Sequence, residues 1–322
     1  MFLVLLPVSL LPVDNARIPP EPYYGDFIGS LSDLQNIGLK GDVYVVNKTC
    51  IQVINFSYNG KAPDLFFWAD PKDRLSSGGI RIPTFEYGYN PLESFSDARV
   101  VLIMPDNYQV IQFKTFGLWC LSFTKDFGYV NYDNALPPPK AQFLNIGIPE
   151  SDWYDLESGP FLFMDRRTVK VFGFSFSGEK ALDGFFWAGN GKAEMANGVA
   201  VGIRGIDKPN AKREEIKTIN RTYDRSKDLI LELPEGYDLY KISWIGVVSK
   251  YAGYTYGYAS IRNVSARLPP YVPLQHKNQK YWSKQVTDAW PENALLGHPD
   301  KRTNFTFQLG PPGEKKGYEG LT

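Results

Sequence analysis

The chain has 322 residues, and its 35 Lys and Arg side chains are balanced by 35 Asp and Glu side chains. Without a net charge, the chain has no overall field that would attract nucleic acid or an anionic membrane surface, so neither is an expected partner. The length predicts two domains, each large enough to bury its own core. The 20 Tyr, 21 Phe, 29 Gly and 24 Pro residues favour strands and turns over helices.

The N-terminal run of residues 1–13 is predominantly apolar. It is shorter than the stretch of about 20 residues that a membrane-spanning helix needs, but it has the length of a signal-peptide core. We expect residues 1–16 to be a signal peptide and the mature protein to be secreted; an ordinary buried strand is the alternative. No later stretch has the length and apolar character of a transmembrane segment.

Five Asn-X-Ser/Thr sequons agree with secretion and predict a glycoprotein. Their acceptor residues are Asn47, Asn55, Asn220, Asn263 and Asn304. Asn47 is expected to be the best acceptor because it lies in a predicted turn, whereas Asn55 lies within a predicted strand.

The first domain is predicted to span residues 24–133. A hairpin is expected where the apolar runs 43–46 and 49–54 flank the polar turn Asn47-Lys48. Further short strands follow at residues 65–68 and 100–105. Short strands separated by regular turn signals, with almost no amphipathic helix, predict an all-β domain.

A second copy of this domain is indicated by an internal repeat, because residues 118–130 recur without a gap as residues 247–259. In this alignment Gly128 matches Gly257. We therefore predict a second domain at residues 145–262, after a Pro-rich linker at 134–144 and before an irregular tail at 263–322. The expected fold is all-β, with a β-sandwich or jelly-roll-like arrangement in each copy.

Both copies contain a short aromatic run with an aspartate ahead of it. Asp64 precedes Trp68 by the same distance as Asp183 precedes Trp187. The two tryptophans are expected to be core anchors, with a carbohydrate-binding surface as the alternative. The two aspartates are expected to brace their loops, because one carboxylate per site is too few for calcium.

The two cysteines both belong to the first copy. At the repeat offsets Cys50 falls on Thr168 and Cys120 falls on Ser249, so the second copy lacks both thiols. Two cysteines that form a disulfide are expected to be present together in one copy and absent together from the other. We therefore predict a Cys50–Cys120 disulfide, which a secreted chain permits. The alternatives for Cys120 are a buried structural thiol and a redox-active thiol.

No catalytic or metal-binding constellation is predicted. The two histidines, His276 and His298, both lie in the predicted tail, far in sequence from the cysteines. The sequence contains no glycine-rich phosphate loop, nucleophile elbow or zinc-ligand spacing.

The motifs of the first copy resemble those of the DM13 domain, the extracellular module of Skeletor-type proteins. The matching motifs, in chain order, are residues 41–46, residues 55–60, Phe67-Trp68, residues 79–83, residues 102–106, Trp119-Cys120 and residues 126–128. The second copy keeps part of this pattern but has Val248-Ser249 where the family has Trp-Cys.

The resemblance implies that Cys120 takes part in extracellular electron transfer or cross-linking, as a thiol or as a haem ligand. It also implies a matrix protein or a DOMON-containing redox protein as a partner; the residues themselves predict no cofactor. The resulting expectation is a secreted, non-enzymatic matrix or cell-surface protein with a redox accessory role at Cys120. The alternative is a component of an extracellular oxidoreductase system that uses a thiol or a bound haem.

Overall fold

The computed structural model of the protein describes residues 18–133, 135–181 and 183–273. The predicted signal peptide at residues 1–16, the sequon at Asn304, both histidines and most of the predicted tail lie outside these residues. The described residues are almost entirely β-strand, turn and loop, which confirms the all-β prediction. Within them, no helix is long and apolar enough to cross a membrane.

The first unit contains eight strands in two antiparallel sheets. One sheet has the order β1-β2-β3-β6 and the other has the order β5-β4-β7-β8. The strands are β1 (Asp26–Ser30), β2 (Lys40–Asn47), β3 (Cys50–Tyr58), β4 (Leu65–Asp70), β5 (Ile80–Arg81), β6 (Phe95–Ile103), β7 (Thr115–Cys120) and β8 (Lys125–Asn131). The predicted hairpin does join β2 to β3, but its turn is Lys48-Thr49, one residue later than predicted, because Asn47 ends β2 and is paired with Cys50.

One hydrophobic core lies between the two sheets of the first unit. Ile51 and Val53 of β3 contribute from one sheet, and Phe67 of β4 and Leu118 of β7 contribute from the other. Because successive strand residues point to opposite faces, the residues between them point away from this core. The unit is therefore a two-sheet sandwich with further side chains buried on its outer faces.

The second unit contains the remaining eleven strands and one short helix. The strands are β9 (Gln142–Leu144), β10 (Phe161–Phe163), β11 (Thr168–Val171), β12 (Ser175–Ser177), β13 (Gly184–Gly189), β14 (Gly198–Ala200), β15 (Gly202–Ile203), β16 (Thr222–Asp224), β17 (Leu229–Glu232), β18 (Trp244–Ser249) and β19 (Thr255–Ser260), and the helix α1 is Gly178–Ala181. Single-turn 3-10 helices cover Val110–Gln112 in the first unit and Met195–Asn197 and Arg213–Glu215 in the second.

The second unit repeats the strand order of the first. Its order β9-β10-β11-β17 corresponds to β1-β2-β3-β6, and its order β14-β13-β18-β19 corresponds to β5-β4-β7-β8. The registers also agree, because Cys120 is paired with Leu65 where Ser249 is paired with Gly184. The repeat seen in the sequence is thus a repeat of topology and of register. The pair β12–β16 corresponds to the end of β3 and the start of β6, and β15 is an additional edge strand of the second unit.

The predicted boundaries of the second unit are too narrow. Its first strand, β9, begins at Gln142, inside the predicted linker. Residues 263–273, assigned to the irregular tail, pack against the unit: Leu268 is fully buried in its core, and Pro269 accepts a hydrogen bond from the backbone of Arg166. These residues include three prolines and no periodic apolar pattern, so they give little sequence signal, although they complete the core.

The segments at the ends of the described chain join the two units. Arg166 of the second unit pairs with Glu21 and donates a 2.6 Å hydrogen bond to the carbonyl of Pro19. Arg267 donates a 2.6 Å hydrogen bond to Asp26 at the start of β1. Both contacts tie the edge of the first unit to the second.

Candidate functional site

Cys120 is the last residue of β7 and is completely buried. Its side chain belongs to the sandwich core, together with Leu118 two residues before it on the same face. The Sγ atom donates a hydrogen bond of 2.9 Å to the carbonyl oxygen of Pro63. The thiol therefore points inward, at the end of a strand.

The turn that follows β7 separates Cys120 from solvent. Its residues 121–124 are all exposed. The hydroxyl of Ser122 donates to the Asp64 carboxylate over 2.6 Å, and the backbone of Leu121 donates to the Asp64 carbonyl over 3.1 Å. Asp64 thus stabilises the turn after β7, across from its own loop, and this turn lies next to the thiol in the chain.

Cys50 is also completely buried, but it points to the other side of its sheet. Its neighbour Ile51 lies in the sandwich core, so Cys50 lies on the outer face, on the same side as Gln52. Gln52 accepts a 2.8 Å hydrogen bond from Arg99 there. Burial raises the pKa of the Cys50 thiol to about 12, against the smaller opposing effect of the Arg99 charge.

The predicted Cys50–Cys120 disulfide is wrong, because both cysteines are free in the structure. Cys120 points into the core between the sheets, whereas Cys50 points out of the same sandwich. A disulfide requires side-chain vectors that converge over a short distance. The two cysteines therefore occupy separate packing sites, and their shared absence from the second unit does not indicate a covalent bond between them.

The second unit has a polar cluster where the first has the thiol. Asp183 is buried and accepts hydrogen bonds of 2.6 Å from Ser249 Oγ, 2.6 Å from Tyr256 Oη and 3.3 Å from the Tyr251 backbone. Burial opposes the charge of Asp183, but these hydrogen bonds outweigh it and lower its pKa. Burial, and then the hydrogen bond to Asp183, raise the pKa of Tyr256.

The tryptophans of the aromatic runs are buried, but outside the two sandwich cores. Trp68 stacks on Trp119 with ring centroids 6.2 Å apart on the outer face of the β5-β4-β7-β8 sheet. Its indole donates 3.0 Å to the carbonyl of Ser76, and the Trp187 indole donates 3.2 Å to that of Met195. Their burial supports packing anchors and removes the carbohydrate-binding alternative for these residues.

Gly128 is needed for a close approach of two chain segments. A Cβ atom at this position would lie 1.9 Å from the carbonyl oxygen of Ser32. Ser32 in turn forms hydrogen bonds with Tyr129, next to Gly128. The equivalent Gly257 is less constrained, since the nearest atom to its added Cβ would be a Leu156 methyl carbon at 3.0 Å.

The sequon asparagines differ in exposure, and Asn47, the expected best acceptor, is the least exposed of those described. Asn47 is only 1% exposed, and its side-chain oxygen accepts hydrogen bonds from the backbone and the hydroxyl of Thr49. Asn55 is exposed, at an irregular position of β3 with φ 56°. Asn220 and Asn263 are exposed as well. Asn55, Asn220 and Asn263 are therefore the accessible sequon residues among those described, whereas Asn47 is covered.

The surroundings of Cys120 do not fit a thiolate-ligated haem. Its sulfur is enclosed by core side chains and bonded to a carbonyl, with no face open to a porphyrin. Two grooves of about 650 and 390 Å³ lie in the second unit, and neither is lined by a cysteine. Among the described residues, no group of three or more His, Cys, Asp or Glu side chains is arranged to hold a metal ion.

Sequence reasoning missed the aromatic cluster around Tyr256. Trp153, Tyr154 and Tyr254 all lie within 6.1 Å of Tyr256, measured between ring centroids. The repeat alignment could have indicated it, because Tyr256 aligns with Phe127 and so has a hydroxyl group that the first copy lacks at this position.

Comparison with known proteins agrees with the motifs of the first unit. The family described as "Electron transfer DM13" matches residues 31–132. The chain is 31% identical over 230 residues to Protein Skeletor, isoforms B/C, of Drosophila melanogaster, which covers 70% of this chain and 27% of that protein. Isoforms D/E match with 31% identity over the same share of this chain and 14% of their own length. No solved structure matches. The first unit therefore contains a DM13 domain, at residues 31–132.

Proposed function

We propose that the protein is a secreted, non-enzymatic extracellular matrix or cell-surface protein built from two DM13 units, with a redox accessory role at Cys120. The electron-transfer description of the family and the likeness to Skeletor support this role. The second unit counts as a divergent DM13 unit because it repeats the strand order and the register of the first. A matrix protein or a DOMON-containing redox protein is the proposed partner.

The observation that carries the redox role is the placement of Cys120 under a single turn. The thiol is free, and the exposed turn of residues 121–124, held by the Ser122–Asp64 hydrogen bond, follows it directly. Short exposed turns open with a much smaller free energy than the whole domain. Opening this turn exposes the thiol while the sandwich stays folded.

Thiol–disulfide exchange is the chemistry that fits such a site. Once exposed, Cys120 loses its proton to solvent, and its thiolate attacks one sulfur of a partner's disulfide. A new S–S bond forms, the partner's S–S bond breaks, and the other partner sulfur leaves as a thiolate. The product is a mixed disulfide that links the protein to its partner without any net oxidant.

Native-state thiol exchange tests this function. The full chain is incubated with an aromatic disulfide reagent without denaturant, and modified cysteines are mapped by peptide mass analysis. We expect modification of Cys120 before Cys50, and faster modification in Ser122→Ala, which lacks the hydrogen bond to Asp64. Thr124→Ala is the matched control, because its hydroxyl contacts only the Leu121 carbonyl of the same turn, at 3.4 Å.

Equal protection of the two cysteines, with modification only on global unfolding, would contradict the redox role and leave a structural thiol.

An absorbance scan of the purified protein tests the haem alternative, since a bound haem gives an intense Soret band. The mass of protein secreted from animal cells, before and after glycosidase treatment, tests secretion and glycosylation at the exposed sequons.

A further inference from the structure

The second unit exchanges a thiol for a phenol at equivalent positions. The first unit has Cys120 at the end of β7 and Phe127 in the irregular part of β8. The second unit has Ser249 at the end of β18 and Tyr256 at the matching irregular point of β19. Cysteine and tyrosine are both oxidisable side chains, whereas serine and phenylalanine are not. Each unit therefore keeps one oxidisable group at this corner.

The phenol of Tyr256 is bonded directly to a proton acceptor. Its hydroxyl donates to Oδ1 of Asp183 over 2.6 Å, and Tyr256 is only 4% exposed. The second oxygen, Oδ2, accepts from Ser249 and from the Tyr251 backbone. These bonds hold Asp183 ionised and fixed, so the acceptor is in place before any oxidation occurs.

Aromatic rings connect this buried phenol to the surface. The rings of Trp153 and Tyr256 are 6.1 Å apart, and Tyr254 lies 5.3 Å from each of them. Trp153 is 47% exposed and Tyr254 is 40% exposed. An electron acceptor that touches Trp153 at the surface is thus separated from the buried phenol by one ring.

We infer that Tyr256 is a one-electron redox site of the second unit, with Trp153 as its surface contact and Asp183 as its proton acceptor. An outer-sphere one-electron acceptor takes one electron from the Trp153 indole and leaves a radical cation. Tyr256 returns one electron to Trp153, and its phenolic proton moves to Asp183. The products are a neutral tyrosyl radical, a protonated Asp183 and the reduced acceptor. This site does not depend on Cys120.

Other tyrosine–carboxylate pairs in the described residues lack this combination. Tyr271 bonds to Glu232, but its ring contact is with the Arg167 guanidinium, 4.1 Å from the ring centroid. Tyr23 lies 3.4 Å from Asp26 and stacks with Arg166. A cation beside the ring disfavours removal of an electron from it. Tyr256 is surrounded by aromatic rings and bonded to an anion, which favours that step.

Flash photo-oxidation of the full chain tests the inference. A ruthenium(III) polypyridyl complex, generated by a light flash, serves as the one-electron acceptor, and radicals are trapped by freezing and identified by electron paramagnetic resonance. We expect a tyrosyl radical in the parent protein and loss of its long-lived component in Tyr256→Phe. Tyr258→Phe is the matched control: it lies on the same strand, is 44% exposed, and should retain the signal.

Two more variants separate the site from a structural brace. Asp183→Asn keeps a side chain of the same shape but is a poorer proton acceptor. The radical yield should therefore fall even when the variant is measured as far below its own melting temperature as the parent protein. Trp153→Phe changes an exposed ring and should fold normally, yet it should lower the yield because the surface contact is harder to oxidise. A yield unchanged by Tyr256→Phe, or by Trp153→Phe in folded protein, would overturn the inference. Cys120→Ser should leave the radical signal intact, so failure of thiol exchange and failure of this site are distinguishable.

Discussion

At the residue scale, one backbone corner carries two kinds of side chain. Cys120 and Ser249 occupy the same register position, and each donates one hydrogen bond inward, to the Pro63 carbonyl or to the Asp183 carboxylate. In the second unit the Asp183 carboxylate accepts the hydrogen bond of Ser249. In the first unit the equivalent Asp64 carboxylate accepts a hydrogen bond from Ser122 in the exposed turn, and not from Cys120. The chemistry of the corner therefore depends on where the aspartate side chain points.

The free state of the cysteines gives the first prediction. Alkylation of the unfolded, unreduced protein with iodoacetamide should label both Cys50 and Cys120. In the native protein Cys50 should resist alkylation at neutral pH, because burial raises its pKa to about 12 and little thiolate exists. Peptide mapping measures both reactions, and recovery of a linked Cys50–Cys120 peptide would show that the two thiols are not packed on separate faces.

Removal of the buried carboxylate gives the second prediction. Asp183→Asn should lower the free energy of unfolding at pH 7 by roughly 2 kcal/mol, since hydrogen bonds to a charged group contribute about 1.5–3 kcal/mol each and the amide retains some of them. Urea unfolding followed by tryptophan fluorescence gives this difference. Asp64→Asn is a suitable comparison, because Asp64 bonds an exposed serine and should cost less.

The same variant should change the response to acid. The pKa of Asp183 is lower in the folded protein than the unfolded value of about 3.9. Its stabilisation is therefore complete above that unfolded value and is lost as pH falls through the folded pKa. The difference between the parent protein and Asp183→Asn should shrink in acid below about pH 4. A difference that stayed constant with pH would show that the carboxylate is not charged in the fold.

At the element scale, the strands could be predicted from the sequence but their faces could not. The run Leu65–Trp68 is apolar at every position, so it predicts a buried strand without showing which residues face the sandwich. In the structure Phe67 faces the core and Trp68 faces a smaller outer cluster. The predicted disulfide rested on the repeat alignment and used no facing information, although the polar Gln52 marks the face that Cys50 shares. A pattern with period two carries facing information only where one face is polar.

The outer clusters depend on a glycine beside each tryptophan, and this gives the third prediction. A Cβ at Gly79 would lie 2.3 Å from the Trp68 indole nitrogen and 2.5 Å from the Ala69 carbonyl oxygen. Gly79→Ala should therefore destabilise the first unit by about 1–3 kcal/mol through overpacking. Gly78→Ala is the neighbouring control, because its nearest contact would be the Ser76 hydroxyl at 3.7 Å. Thermal melting compares the two, and equal melting temperatures would refute the close packing.

At the scale of the whole molecule, the two units are connected by more than the chain between them. Arg166 is almost completely buried, lies 4.4 Å from the Tyr23 ring centroid and 5.1 Å from that of Tyr240, and pairs with Glu21. Its contacts come from the second unit and from the N-terminal segment that leads into β1. Such a buried cation requires its partners, because removal of one partner leaves an uncompensated charge. We therefore expect this residue to hold the N-terminal segment against the second unit.

The repeat could be predicted from the sequence because the closing strands kept their spacing, but the extent of the second unit could not. Its last core residue, Leu268, stands between Arg267 and two prolines, where no periodic pattern marks it as buried. Only the packed structure shows that residues 263–273 return to the core.

The fourth prediction follows from this extent. A fragment of residues 141–273 should melt cooperatively, whereas a fragment of residues 141–262 should melt at a clearly lower temperature or remain unfolded. The shorter fragment loses Leu268, which is fully buried, and the backbone hydrogen bond from Arg166 to Pro269.

In the full chain Leu268→Ala should lower the free energy of unfolding by about 2–5 kcal/mol, as expected for a large-to-small substitution in a core. Val264→Ala is the matched control, because Val264 is only partly buried against the same core. Calorimetry of the fragments and variants decides the point: equal stability of the two fragments would place the end of the unit at residue 262 and make the contacts of residues 263–273 incidental.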